Sequence, residues 1–144
     1  MFVSLEINKD TTVNNDGTIT TKLNVTYNNP YPGSDCDLER GGLCLNAPLR
    51  NWVRVYVPKG SKLVESRGTQ SPKDSKAAPM TAKESLGKTM FEGFLIVNPL
   101  GKAQLVLTYT SPVKSSDGKY RLLVQKQAGT ENDQFIIKMA GREK

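Results

Sequence analysis

Residues 18–27 read Thr-Ile-Thr-Thr-Lys-Leu-Asn-Val-Thr-Tyr. On a strand, successive side chains point to opposite faces. Ile19, Leu23, Val25 and Tyr27 then share one face, and Thr18, Thr20, Lys22, Asn24 and Thr26 share the other. One dry face and one wet face mark a half-buried strand. The same period of two places Val3, Leu5 and Ile7 together in a strand over residues 2–9. It places Val53, Val55 and Val57 together over 51–57, and Ala103, Leu105, Leu107 and Tyr109 over 102–111. No stretch has a comparable helical period. Further strands are predicted at 18–28, 62–66, 88–97, 119–126 and 134–139. Gly and Pro clusters separate them: Asn14-Asn-Asp-Gly17, Pro58-Lys-Gly60 and Asn98-Pro-Leu-Gly101. Short strands at this spacing predict an all-β protein, an antiparallel two-sheet immunoglobulin-like sandwich of seven or eight strands. A closed barrel is the structural alternative.

The chain has 144 residues, enough for one domain with its own core. It contains no apolar run of the roughly 18 residues that would suggest a membrane span. Met1 leads directly into the alternating Phe2-Val-Ser-Leu-Glu-Ile7, with no leader of the secretory kind. Either the protein is cytosolic or this is a domain cut from a longer protein, and the second reading is preferred. Residues 67–83, rich in Ser, Lys, Pro and Gly, are expected to form a mobile loop.

Histidine is absent. That removes the usual general base and the commonest metal ligand. It also excludes Ser-His-Asp and Cys-His nucleophile systems within the chain. The fourteen acids are scattered, and no pair suggests carboxylate catalysis. The expectation is a protein that is not an enzyme and takes no cofactor.

The net charge is +6, and all of it lies in one quarter of the chain. Residues 50–88 hold nine basic side chains against three acids, while the remainder is balanced. Such a segment suits a polyanion, and it equally suits a lysine-dotted loop kept soluble by charge. Basic and aromatic residues do not interleave densely there, as they do on a platform for single-stranded nucleic acid.

Cys36 and Cys44 flank a turn-rich stretch containing Gly41-Gly42. A pair closing a short loop suits a disulfide in an oxidising compartment. Two free thiols in a cytosolic protein are the alternative. A zinc site lacks its remaining ligands. Trp52, Arg54 and Tyr56 fall on the outward face of their strand if the valines point inward. Two aromatics flanking a guanidinium form a candidate binding patch for a sugar, peptide or partner domain. The competing reading is core or edge cover. Asn24-Val-Thr26 matches a glycosylation acceptor pattern at mid-strand, where a chance match is the simpler account.

Three segments carry a family resemblance. They are Asn51-Trp-Val-Arg-Val-Tyr-Val-Pro-Lys-Gly-Ser-Lys-Leu63, Gly87-Lys-Thr-Met-Phe-Glu-Gly-Phe-Leu-Ile-Val97 and Leu122-Leu-Val-Gln-Lys-Gln-Ala-Gly-Thr130. In order and phrasing the chain, from about residue 23 onward, resembles the C-terminal region of the bacterial domain-of-unknown-function family 4012. Ala128 stands where that family more often has proline. The resemblance implies a terminal domain of an envelope-associated protein anchored by a membrane helix elsewhere in its chain. It carries over no catalytic residue.

Together these readings predict a non-catalytic, extracytoplasmic module of a bacterial cell-surface protein, acting in adhesion, scaffolding or glycan or protein binding. Its expected partners are other domains of the parent protein, a surface protein or a glycan. Weak non-specific polyanion binding is expected, with membrane contact only through a parent anchor. Two alternatives stand beside it. One is a cytosolic module binding nucleic acid or another polyanion through residues 50–88. The other is an accessory domain of a hydrolase whose catalytic part lies elsewhere.

Overall fold

The computed structural model describes residues 2–112, 122–123 and 133–140. Among these are eight strands: β1 (Ser4–Val13), β2 (Ile19–Asn29), β3 (Leu49–Val57), β4 (Lys62–Arg67), β5 (Thr81–Ser85), β6 (Lys88–Val97), β7 (Gly101–Ser111) and β8 (Gln134–Ala140). They form a five-stranded sheet in the order β4-β7-β2-β1-β8 and a three-stranded sheet in the order β3-β6-β5. The strand and turn expected over 119–130 lie outside the described residues except for Leu122 and Leu123, which are exposed and not in a strand.

The two sheets pack face to face as a β-sandwich. The alternation of β2 has its expected consequence, since Ile19, Val25 and Tyr27 are buried while Lys22 is exposed. From β7, Leu105, Leu107 and Tyr109 enter the same core. The smaller sheet contributes Val57, Phe91, Leu95 and Val97, with Val53 and Val55 packed against them. Phe91 and Tyr109 meet across the two sheets with ring centroids 5.7 Å apart.

The strand pairs are antiparallel with one exception. β8 lies parallel to β1, from Glu6 opposite Gln134 to Thr12 opposite Ala140. Thus β1, β7 and β8 all run from one end of the sandwich to the other. At the upper end are the start of β1, the β2–β3 connection and the turn between β6 and β7. At the lower end are the 14–18 turn, the 58–61 turn and the end of β8.

Two stretches depart from expectation by more than a residue or two. β1 continues to Val13 through polar Asp10-Thr-Thr12, because β2 continues to pair with it down to Val13 opposite Ile19. Residues 67–83, expected to be a mobile loop, are tied into the fold and end inside β5. The Gln70 amide donates to the Phe94 carbonyl at 2.8 Å, and Gln70 bridges Ala77. Thr69 and Met80 are buried against Gly93 of β6. Two anchors and a set of backbone bonds thus hold a segment whose composition is otherwise that of a loop.

Tyr27 links the sheets through a hydrogen bond with the Asn51 side chain. Burial pushes its phenol up to about 12, with the Asn51 bond a smaller, opposing effect. An unfolded tyrosine ionises near 10. Between these values the unfolded chain loses a proton that the folded chain keeps. Stability is therefore intact below about pH 10 and falls as pH rises towards 12. The loss from this group is expected to reach about 3 kcal/mol. Urea melts at pH 8 and pH 11.5 test it: the alkaline loss should be clearly smaller in Tyr27→Phe than in the parent. An equal loss in both would refute the assignment.

Candidate binding surface

β3 alternates cleanly. Arg50, Trp52, Arg54 and Tyr56 are exposed, and the residues between them turn inward. The structure thus brings the three candidate residues Trp52, Arg54 and Tyr56 onto one outward face. Trp52 is 54% exposed and Tyr56 43%. Four residue steps of extended chain separate the two rings, about 13 Å along the strand.

The strand pairing decides what surrounds them. On β6, Phe94 sits opposite Trp52, Glu92 opposite Arg54, and Met90 opposite Tyr56. The Trp52 and Phe94 rings are 5.4 Å apart and tilted by 57°. The Arg50 guanidinium lies 5.6 Å from the Phe94 ring centroid, within cation–π range. Phe94 and Met90 are buried although they project from the outer side of the sheet, so the platform has a packed floor.

Arg54 is not a loose cation. Its Nε donates to Glu92 Oε2 at 2.6 Å, and Lys83 Nζ of β5 donates to Glu92 Oε1 at 3.4 Å. The Glu92 side chain is only 12% exposed, while that of Arg54 stays 56% exposed. The Arg54 hydrogen bond holds the Glu92 carboxyl below its ordinary range, with Lys83 adding a smaller effect in the same direction. The same bond raises the Arg54 guanidinium. An exposed pair of this kind contributes little to stability. Its effect here is positional, since it fixes a guanidinium between two aromatic rings.

The alternation of β3 made the patch visible in the sequence, but its floor and its anchor were missed. Pairing between β3 and β6 is non-local, so Glu92 carried no mark. One signal was present: 93–97 reads Gly-Phe-Leu-Ile-Val without alternation, which indicates a strand covered on both faces.

The basic segment does not form a single patch. Arg50 and Arg54 lie on the outer face of β3, Lys62 and Arg67 on β4 in the other sheet, and Lys59 at the lower end. Lys73 and Lys76 sit in the 70–77 connection. Arg54, Arg67, Lys76 and Lys83 have carboxylate partners.

At the upper end, Cys36 and Cys44 form a disulfide. It closes a loop whose 3₁₀ turn (Leu38–Arg40) is capped by Asp37. The root of the loop is fixed by Asn46, whose Nδ2 donates to the Pro32 carbonyl at 2.7 Å and whose Oδ1 accepts from Asn29 Nδ2 at 2.8 Å. Closing a loop this short contributes about 2–3 kcal/mol in the chain-entropy account. Leu38, Leu43, Leu45, Tyr31 and Leu100 are all exposed around this end. These leucines carry no mark in the sequence, because isolated apolar residues in a turn-rich stretch have no period.

Among the described residues no cluster of His, Cys, Asp and Glu has the makings of a metal site. No helix among them is long and apolar enough to cross a membrane. Compared with known proteins, the chain matches no family model and no curated protein.

Proposed function

We propose that this domain is a non-catalytic binding module of a bacterial cell-surface or envelope protein, engaging a glycan or a surface protein through the Trp52–Arg54–Tyr56 face. The observation that carries this reading is the exposed aromatic–guanidinium–aromatic row, with Arg54 held by Glu92 and Trp52 packed on Phe94. Rigid rings flanking a held polar group offer contact area at low entropic cost. The Cys36–Cys44 bond supports an extracytoplasmic setting. The motif resemblance to the family 4012 C-terminal region points the same way. The module is immunoglobulin-like in the broad sense of a two-sheet sandwich. Its strand order has its own character, since the partner of β3 precedes β7 rather than following it.

The test is a salt titration of affinity for a cell-wall polysaccharide preparation and for a mixed-sequence oligonucleotide. Binding through stacking and desolvation should survive physiological salt and fall about tenfold or more in Trp52→Ala. Binding through charge alone should vanish as counterion release loses its driving force. Tight oligonucleotide binding that survives physiological salt, and that Trp52→Ala or Tyr56→Ala weakens, would replace this reading with a nucleic-acid one.

A further inference from the structure

We propose that the domain is built to bear mechanical load between its two chain ends, with the parallel β1–β8 pair as its clamp. The start of β1 and the end of β8 lie at opposite ends of the sandwich, and the strands are direct neighbours over seven residue pairs. A pull applied before Ser4 and after Ala140 drives these strands past each other along their own axes. Ladder hydrogen bonds run between strands, not along them. Sliding therefore strains the whole set together, and no single bond can yield first and hand its load to the next.

The surroundings reinforce the clamp. On its other side β1 is held by β2 over ten pairs. Val3, Leu5 and Ile7 pack against the core, so β1 cannot slide without breaking apolar contact. The Leu5 amide donates to Asp133 Oδ1 at 3.3 Å, an additional tie just ahead of β8. Force passes sideways from β1 into β8. The chain from Asn14 to Asp133, including the disulfide ring and the Trp52 face, stays outside the loaded path until the pair parts. A ligand held on that face would then sit on an undistorted sheet while the chain is under tension.

This rests on the strand pairing and not on the binding surface, so each can fail without the other. The experiment is single-molecule force spectroscopy on the full chain, flanked by marker domains, in two pulling geometries. In the first, force is applied through the two chain ends. In the second, it is applied between a clickable residue placed at Asn15 and the C-terminal end. Asn15 lies just past the end of β1, at the lower end with the end of β8, so this pull peels the pair open bond by bond. A thermal melt of the handle-bearing protein checks that the fold is kept. The end-to-end pull should need about threefold or more force, because forced rupture is governed by the unfolding barrier and sliding meets a stiffer one. Reduction of the Cys36–Cys44 bond should leave that force unchanged. It should lengthen the released chain by about 2.5 nm, the reach of the eight residue steps it spans. Equal forces in the two geometries would overturn the proposal, as would a rupture force that drops on reduction.

Discussion

Gly68→Ala is expected to destabilise the domain by about 3 kcal/mol or more, and to do so without touching any core side chain. Gly68 is the residue at which the chain leaves β4 and crosses to the smaller sheet. It adopts φ +93°, in the region that side chains disfavour. Its α-carbon also lies so close to β7 that an added methyl would land on the Gln104 carbonyl oxygen. That oxygen belongs to a backbone already fixed by pairing with β2 at Thr26, so it cannot retreat cheaply. Strain and clash therefore act together, in the class of substitutions with unusually large effects. Chemical denaturation of the variant measures it, with Gly87→Ala as the control. Gly87 also has positive φ, at +69°, but nothing lies within 4 Å of an added methyl. A Gly68 variant no less stable than the Gly87 variant would show that the crossing tolerates a side chain.

Phe91→Ala is expected to cost about 3–5 kcal/mol, the range for a fully buried aromatic whose site only partly collapses. Phe91 is fully buried on the inner face of β6, against Tyr109 of β7. Its loss opens a cavity between the sheets rather than within one, where both walls are held rigid by their own ladders. Phe91→Leu retains most of the volume and should lose less than half as much. The midpoint shift in urea decides it. A loss below about 1 kcal/mol for Phe91→Ala would mean that the sheets close over the gap.

The sandwich was legible where burial is one-sided. β2 and β7 announce themselves because one face is wet and the other dry, and β3 exposed its outward row for the same reason. Legibility failed where a neighbouring strand, rather than a residue's own polarity, determines structure. Asp10-Thr-Thr12 is polar throughout, beyond the expected strand end at residue 9, and is strand because β2 lies alongside. Thr81-Ala-Lys-Glu-Ser85 has no buried member and is strand because β6 offers an edge. The same limit applied to the candidate site. Trp52, Arg54 and Tyr56 followed from a local period. Phe94, which packs on Trp52, and Glu92, which holds Arg54 and is itself contacted by Lys83, came only from register between strands far apart in sequence.

The pairing of β1 with β8 also sets the timing of folding. It joins the first and last of the described strands, residues well over a hundred positions apart, as with Ile7 opposite Phe135. During synthesis β1 emerges before β2, yet one of its two edges has no partner until β8 is made. Contacts of such long range form late and slowly, because loop closure must come before any stabilising contact. A nascent chain wired in this way reaches its native state only once β8 is free of the ribosome.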